Sequence, residues 1–241
     1  MKWEPDNFEL EKSSVWSFPE RGNWATHDSK YRGNCSPYVF RNLILRYSEE
    51  GEWILDPFVG GGTSLVEAKL LNRNIVGTDI NPSALERCKN KTDFECHGGR
   101  VEIRKADARN LEFLKDDSID FICTHPPYTD IIKYSDNVVG DISLLEYDDF
   151  LKAIEGVATE AYRVLKKGRL CSFVIGDIRK NGSVKPLGFE TMKRFEKAGF
   201  KLKEIIIKEQ YNCMMTDRWK KISVEKNFFL LAHEYIFVMK K

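Results

Sequence analysis

The sequence predicts an α/β fold, with one mostly parallel sheet, helices on both of its faces and an antiparallel C-terminal hairpin. Short apolar runs alternate with segments of helical periodicity between residues 37 and 197, which is typical of a parallel sheet. Two longer strand-like runs, 201–208 and 228–239, end the chain. Because these two runs follow one another, we expect them to add an antiparallel edge to the sheet.

The first half of the predicted sheet comes from three apolar runs that each end at an aspartate. A helix with apolar residues at helical spacing, 37–47, precedes strand 53–55 and Asp56. The glycines at 60–62 open a helix to about residue 71, and strand 75–78 then leads to Asp79. Pro82 suits the first turn of the next helix, after which strand 101–105 leads to Asp107.

The second half repeats this rhythm. Strand 119–123 is followed by "THPPY" at 124–128, and then come helix 147–165, strand 170–175 and helix 186–197. In open α/β sheets a ligand binds beyond the carboxyl ends of the strands. The sequence therefore predicts one crevice that collects the polar residues at these ends, namely Asp56, Asp79, Asp107 and His125.

Length and composition predict one domain preceded by a short arm. The chain has 241 residues, of which 42% are hydrophobic and 31% charged. Residues 1–35, rich in Trp, Pro and Gly, are predicted to form an irregular N-terminal arm, and residues 36–241 the domain. The arm's aromatic residues either stack on bases or pack against the domain, and the sequence leaves both readings open; they are Trp16, Phe18, Trp24 and Tyr31.

Cysteine usage and hydropathy indicate the compartment. The six cysteines lack zinc-like spacing, which predicts a reduced, cytoplasmic setting, and Cys123 is expected to be a buried strand residue. The polar N-terminus is unlike a signal peptide, and no apolar stretch approaches the roughly 18 residues of a membrane span. His233 and Glu234 are adjacent, but neighbouring strand residues point to opposite faces, so no metal site is predicted.

Charge is divided unevenly along the chain. Residues 161–241 hold 19 of the 38 basic residues but 8 of the 37 acidic ones, a net charge of +11. Residues 1–160 carry a net charge of −10. Such a division in a nearly neutral protein suggests one face directed toward a polyanion, although charges that only solvate helix surfaces are the alternative.

The stretch "ILDPFVGGGTSLVEA" at 54–68 reads as a strand, a glycine turn and a helix start. Glycines let backbone N–H groups approach a ligand closely, and a helix N-terminus favours polar or negative groups. Asp79 follows at the end of the next strand, where a carboxylate can accept hydrogen bonds from ribose hydroxyls. A nicotinamide-dinucleotide fold is the competing interpretation, but Leu65 and Val66 occupy the place of its third glycine.

The "THPPY" stretch ends a strand with a rigid rim. Proline fixes φ and lacks an N–H, so the carbonyls of this rim are not absorbed into a strand ladder. Together, "DPFVGGGT" and "THPPY" resemble the amino-methyltransferases of DNA, which use S-adenosylmethionine. These enzymes carry an F-x-G-x-G cofactor motif and a [D/N/S]-P-P-[Y/F/W] motif for the target amine. The resemblance extends from about residue 31 to the end and implies a single Rossmann-like methyltransferase domain.

The resemblance also implies residue roles. Asp79 would hold the cofactor ribose and Asp107 would lie near its adenine. The implied cofactor-binding residues are Ser36, Asp56, Phe58, Gly60, Gly62, Thr63, Asp79 and Asp107. The implied catalytic residues are His125, Pro126, Pro127 and Tyr128.

The chemistry of an exocyclic base amine explains the diproline rim. The amine is a poor nucleophile because its lone pair is delocalised into the ring, and two acceptors aimed at its N–H bonds would localise that pair. The Pro126 carbonyl and His125 would be these acceptors, so that catalysis rests on positioning and preorganised electrostatics. Tyr128 would stack on the base once it is rotated out of the duplex.

Position 125 departs from the family pattern, because it holds His rather than Asp, Asn or Ser. A neutral imidazole accepts one hydrogen bond, whereas a protonated ring would repel the amine hydrogens, so we expect activity to fall at mildly acidic pH. The alternative is that His125 is structural and only the Pro126 carbonyl acts. "T-S-P-P-Y" is typical of cytosine-N4 enzymes and "D-P-P-Y" of adenine-N6 enzymes; the threonine and the missing carboxylate favour cytosine N4.

Target recognition is assigned to the segments 129–146 and 210–228. The expected partner is double-stranded DNA with base flipping, contacted through phosphates and a few base edges. The predicted nucleic-acid contacts are Lys208, Arg218, Lys220 and Lys221. The sequence leaves open whether a cognate restriction endonuclease accompanies the protein and whether it acts as a monomer or a homodimer.

Three rival functions remain open. RNA guanine-N2 methyltransferases also use a P-P-Y motif, but their separate RNA-binding domain would have no room here. Glutamine methyltransferases of protein release factors use N-P-P-Y and would not need the basic C-terminal part. A catalytically silent cofactor-binding subunit is the third rival, and His125 motivates it.

Overall fold

An eight-stranded sheet lies at the centre of the computed structural model, which describes residues 2–95, 98–135, 138–211 and 216–241. Its strands are β1 Val15–Trp16, β2 Trp53–Asp56, β3 Asn74–Asp79, β4 Val101–Lys105, β5 Ile119–Thr124, β6 Leu165–Ile175, β9 Lys201–Glu209 and β10 His233–Lys240, while β7 Ile178–Lys180 and β8 Ser183–Lys185 form a separate hairpin. The helices are α1 Pro37–Tyr47, α2 Thr63–Leu70, α3 Pro82–Thr92, α4 Tyr147–Val164, α5 Leu187–Lys197 and α6 Thr216–Glu225.

The strand order is β1-β9-β10-β6-β5-β2-β3-β4, and β10 runs antiparallel to both of its neighbours. The remaining pairs in the sheet are parallel. This confirms the predicted α/β fold, with its mostly parallel sheet and antiparallel C-terminal pair. The central position of β2 and β5, next to each other, brings the glycine turn and the diproline rim to the same edge of the sheet.

Two apolar clusters cover the two faces of the sheet. Helices α4 and α5 pack on one face, in a cluster that includes Phe150, Phe173 and Phe195. Helices α1, α2 and α3 cover the other face together with Trp16 of the arm. Adjacent residues of β5 contribute to opposite clusters, because side chains alternate along a strand.

Several elements differ from the sequence-based expectation. The 210–228 segment contains α6, whose short helical pattern between two strands was read as a loop, and the last strand begins at His233 rather than at residue 228. Two short 3₁₀ turns, Thr129–Ile131 and Ile142–Leu144, lie within the 129–146 segment. Positions 136–137 and 212–215 of these two segments lie outside the described residues. Within the described ranges, none of the helices has the length and apolar character that a membrane crossing requires.

The predicted irregular arm contacts the domain extensively. Strand β1 pairs in parallel with β9 at the edge of the sheet. Trp16 and Trp24 are buried, and the Trp24 indole N–H donates a 2.7 Å hydrogen bond to the buried carboxylate of Glu67. These two aromatic residues therefore pack against the domain, whereas Tyr31 lies at the cavity described next.

Candidate active site

A hydrogen bond joins the ends of β2 and β5. The two strands pair in parallel, with Leu55 opposite Ile122. Beyond this pair, Asp56 accepts hydrogen bonds from the Thr124 hydroxyl at 2.6 Å and from the Phe58 N–H at 3.0 Å. Burial raises the pKa of the Asp56 carboxyl to about 6, although these hydrogen bonds act in the opposite direction. The turn that follows β2 is therefore fastened to the residue that precedes His125.

The next strand holds the glycine turn in place. Asp79, at the end of β3, accepts hydrogen bonds from the N–H groups of Gly60 at 3.0 Å and Asn81 at 2.9 Å. Its pKa is raised, with burial as the largest cause. Gly60 has φ +43° and a Cβ there would lie 3.0 Å from the Tyr31 ring, so this position requires glycine.

A cavity opens at this edge of the sheet, between the glycine turn and the diproline rim. Of the residues predicted from the sequence, those that line it are Asp56, Phe58, Gly60, Thr63, Asp79, Asp107, His125 and Pro127. Ser36, Gly62, Pro126 and Tyr128 are not among the lining residues. Ser36 instead donates its hydroxyl to the Arg21 carbonyl at 2.8 Å, and Gly62 caps α2 in a left-handed conformation against Cys88.

Tyr31, which lies against Gly60 of the glycine turn, stacks on a tyrosine from a separate part of the chain. Tyr31 of the arm and Tyr134 stack with their ring centroids 5.9 Å apart and their planes 17° from parallel. The backbone carbonyl of Tyr134 accepts a 2.8 Å hydrogen bond from Asn81, which ties it to the end of β3. Both rings line the cavity.

Arg109 holds the far wall of the cavity. Its guanidinium donates to both carboxylate oxygens of Asp107, at 2.9 and 2.6 Å, and to the Gly140 carbonyl at 3.0 Å. Burial raises the pKa of the Asp107 carboxyl, but the hydrogen bonds and charge of Arg109 outweigh burial, so this pKa lies below its ordinary value. Asp107 is thus an ionised acceptor in a fixed orientation.

The chemistry of the lining suits S-adenosylmethionine, the cofactor that the resemblance implies. Asp79 and Asp107 offer carboxylate acceptors at the ends of successive strands, which suits ribose hydroxyls and an amino group. Phe58 and Ile80 offer apolar surface for a flat base. The Thr63 hydroxyl already donates a 2.6 Å hydrogen bond to the Asn34 side chain, so Thr63 contributes to this wall by holding Asn34 in place.

The diproline rim is anchored on its other side by the C-terminal hairpin. The Tyr128 hydroxyl donates a 2.6 Å hydrogen bond to Glu234 of β10 and contacts Nε2 of His125 at 2.7 Å. Glu234 also accepts a hydrogen bond from Lys208 at 2.7 Å. Within the described residues, no N–H or O–H group donates to the Pro126 carbonyl, but Pro126 is buried and is not among the residues that line the cavity.

The predicted nucleic-acid contacts divide into two groups. Arg218, Lys220 and Lys221 are exposed on α6, together with Trp219. Lys208 does not join them, because its side chain is 13% exposed and is held in the ion pair with Glu234. This differs from the expectation that Lys208 faces phosphate, since the pairing of β9 with β10 directs its side chain to Glu234.

Sequence reasoning missed several residues at this site. Glu234 was noted only as a neighbour of His233, and Tyr134 and Arg109 were not singled out. The alternation of strand residues does separate the two members of "HE": His233 contacts Tyr235 at 3.1 Å, whereas Glu234 reaches Tyr128. A buried acid in an otherwise apolar strand, "HEYIFVMK", was the available signal for Glu234.

Comparison with known proteins agrees with this geometry. A family model described as DNA methylase matches residues 3–90 and 119–241, and one described as methyltransferase domain matches residues 54–138. Type II methyltransferase M.HpaI from Haemophilus parainfluenzae is 37% identical over 87 residues, which are 36% of this chain and 27% of that protein. The tRNA (guanine(10)-N2)-dimethyltransferase of Methanothermobacter thermautotrophicus is 34% identical over 128 residues, 50% of this chain and 34% of that protein.

The matched segments thus span about a third or less of these two relatives. Among solved structures, an S-adenosylmethionine-dependent methyltransferase from Methanosarcina mazei superposes with a TM-score of 0.58 at 17% identity. That superposition covers 83% of this chain and 96% of the other. At this level of identity the likeness concerns the fold.

Proposed function

Because the chain belongs to the DNA methylase family, whose members methylate N6 or N4 amines and use S-adenosylmethionine, we propose that it methylates an exocyclic amine of a DNA base. Cytosine N4 is the favoured target, because "THPPY" has the threonine of the cytosine enzymes and lacks the carboxylate of the adenine enzymes. The protein is accordingly a methyltransferase, and its substrate is the part of the proposal that experiment must decide.

One observation carries the proposal. The glycine turn and the diproline rim follow two hydrogen-bonded neighbouring strands, and residues of both line the same cavity. The distance between a bound methyl donor and a base held at the rim is therefore set by adjacent strand ends rather than by a flexible loop. Fixed placement of this kind supplies a large part of the barrier reduction in group transfer.

The rim residues would orient the amine and take its proton. S-adenosylmethionine held in the cavity would supply the methyl group, so that the N–C bond would form as the C–S bond breaks and sulfur keeps the electron pair. The Pro126 carbonyl and a ring nitrogen of His125 accept the two amine hydrogens, which directs the nitrogen lone pair into the cavity. The surplus proton of the methylated amine then passes to His125. Pro127 keeps the rim rigid, and the Tyr128 ring supports the base.

Helix α6 is the proposed contact with the phosphate backbone. Arg218, Lys220 and Lys221 are exposed along it, in the half of the chain that carries the net charge of +11. Exposed Trp219 adds a flat ring that can stack on a base or a sugar. This arrangement supports a polyanionic substrate rather than a protein glutamine.

A second candidate is the N2 amine of guanine in RNA. The match to the tRNA (guanine(10)-N2)-dimethyltransferase covers half of this chain and favours it specifically. The rim chemistry would be the same, because N2 of guanine is also a conjugated exocyclic amine. The two candidates therefore differ in the polymer and the base, and not in the proposed mechanism.

The deciding experiment uses radiolabelled S-adenosylmethionine with separate samples of unmethylated DNA, RNA and protein. We expect label in DNA, and digestion to nucleosides should yield N4-methylcytidine in its deoxy form. Label as N6-methyladenine would move the target to the adenine amine, and label in RNA guanine would select the second candidate. Label only in protein would overturn the proposal. Label in none of the samples would also overturn it and would favour a catalytically silent subunit.

A further inference from the structure

A hydrogen-bonded chain of four side chains crosses the sheet behind the diproline rim. It begins at Lys208 of β9, passes to Glu234 at 2.7 Å and to Tyr128 at 2.6 Å, and ends at Nε2 of His125 at 2.7 Å. Lys208 and Glu234 are direct cross-strand partners. Gly176, just beyond β6, leaves the space, because a Cβ there would lie 3.3 Å from the Tyr128 ring. This series of hydrogen bonds thus runs across four adjacent strands, β9, β10, β6 and β5.

The number of donors and acceptors determines which group donates in each of these hydrogen bonds. An ionised carboxylate only accepts hydrogen bonds, and Glu234 receives one from Lys208 and one from Tyr128. Burial disfavours its charge, but the charge and hydrogen bond of Lys208 and the hydrogen bond from Tyr128 act against burial, and the pKa of Glu234 lies below its ordinary value. Glu234 is therefore ionised, and the single proton of the Tyr128 hydroxyl is used in the bond to it.

In the hydrogen bond between Tyr128 and His125, the histidine must then be the donor. Since the hydroxyl proton of Tyr128 points to Glu234, Nε2 of His125 carries a hydrogen and donates it to the Tyr128 oxygen. A neutral imidazole has one N–H, so Nδ1 holds a lone pair. Within the described residues no group donates to Nδ1, and His125 lines the cavity.

We propose that Glu234 is a positioning residue, which acts through Tyr128 to hold His125 in the Nε2–H tautomer and so presents Nδ1 to the target amine. The inference rests on the proposed function for the identity of that amine. It explains how histidine can replace the Asp, Asn or Ser of the family pattern: the opposite tautomer would direct an N–H at the amine hydrogens. A buried carboxylate that selects a histidine tautomer has a large catalytic effect in other enzymes.

The charges around His125 support a neutral ring. Burial lowers the pKa of its imidazole, and Lys208 and Arg21 lower it further, while Glu234 alone raises it. Nε2 lies 3.8 Å from the nearer Glu234 oxygen, so the carboxylate acts on the ring through the Tyr128 hydroxyl rather than by direct contact. Neutral imidazole at neutral pH is the state in which the tautomer matters.

The test is a ¹⁵N-histidine NMR measurement that needs no substrate. The protein has four histidines, and the signals of His125 are assigned by their loss in His125→Asn. Long-range ¹H–¹⁵N correlations then show which ring nitrogen carries the proton in the wild type, in Tyr128→Phe and in Glu234→Gln. Tyr235→Phe is the matched control, because Tyr235 contacts His233 in the same strand region through an equivalent hydroxyl.

We expect Nε2–H with an unprotonated Nδ1 in the wild type and in Tyr235→Phe. Glu234→Gln and Tyr128→Phe should lose this preference and show the Nδ1–H form or averaged shifts. A wild type in the Nδ1–H form would overturn the inference, as would variants that fold like the wild type, by their backbone spectra, and retain its His125 shifts.

Activity separates this inference from the proposed function. Glu234→Gln should lower kcat by about 10- to 100-fold, by analogy with the loss when the partner that orients a metal-bound histidine is removed. The KM for S-adenosylmethionine should stay unchanged, because Glu234 does not line the cavity. If the His125 tautomer responds to the variants as expected but no nucleic acid is labelled, the proposed function is wrong. The inference that Glu234 fixes the His125 tautomer through Tyr128 is then still supported. Equal kcat in Glu234→Gln and wild type would reject the positioning role.

Discussion

Thr124 donates a 2.6 Å hydrogen bond to the carboxylate of Asp56, and this bond connects the end of β5 to the end of β2. Both residues are buried. The bond lies immediately before the diproline rim on one strand and immediately before the glycine turn on the other. It thereby couples the two parts of the proposed site, which would act on a single methyl group.

Replacing Thr124 with valine should loosen this coupling. The variant leaves a buried carboxylate with one fewer donor, and we expect a loss of about 1–3 kcal/mol in the free energy of unfolding, measured by urea denaturation. Methyl transfer should fall more than cofactor affinity, because the relative position of the two strand ends changes. Thr124→Ser keeps the hydroxyl and is the control; equal stability of the valine variant and wild type would contradict the coupling.

The rate of methyl transfer should fall on the acid side of neutrality. His125 acts as an acceptor only when neutral, and burial lowers its pKa from the ordinary 6.5, so the fall should begin below that pH as the ring gains a proton. The measurement is kcat/KM against pH. His125→Asn, whose amide oxygen accepts without titrating, should lack this acid limb.

Two results would count against that assignment. A wild-type profile that shows no acid limb at any pH at which the protein stays folded would exclude His125 as the acceptor. An acid limb that persists unchanged in His125→Asn would assign the titration to another group. In either case only the Pro126 carbonyl would remain as the amine acceptor.

Arg109 should contribute to cofactor affinity without touching the target base. Its loss frees the Asp107 carboxylate and the Gly140 carbonyl, so the wall they form loses its fixed orientation. We expect Arg109→Ala to weaken the Kd for S-adenosylmethionine by about 10-fold, the effect of one charge-assisted hydrogen bond or a little over 1 kcal/mol, as measured by calorimetry. Arg104→Ala on β4, where Arg104 pairs with Glu102 away from the cavity, is the control, and an unchanged Kd in Arg109→Ala would contradict the role.

The basic side chains of α6 should determine how strongly DNA binding depends on salt. Changing Arg218, Lys220 and Lys221 together to alanine should reduce the slope of log K against log salt by up to about 3, since each phosphate contact contributes about 0.9. Fluorescence anisotropy with a DNA duplex over a salt series measures this slope. A triple alanine variant at three exposed lysines outside this segment, Lys89, Lys115 and Lys152, should leave it unchanged. If both variants alter it equally, α6 is not the docking surface.

The repeating order of the central elements was readable from the sequence because its signals are local. Apolar runs, helical spacing and the turn residues around Pro82 predicted α1 to α5 and the parallel strands to within a few residues, except that β6 begins at Leu165 rather than at residue 170. Helix α6 was missed because its polar ten-residue pattern follows a segment read as a loop. Strand β1 was missed because two residues carry no periodic signal, and only pairing with β9 defines them as a strand.

Some features of the site could likewise be predicted from the sequence, and others could not. The two motifs and the aspartates at the strand ends are contiguous in the sequence or follow from strand order, so sequence alone determined that they would meet at one edge of the sheet, where the cavity lies. Tertiary structure alone decided that Lys208 turns inward, that Glu234 reaches Tyr128, and that Tyr31 covers Gly60. These contacts join residues 26 to 106 positions apart, and their geometry depends on strand register and side-chain direction, which no local pattern encodes.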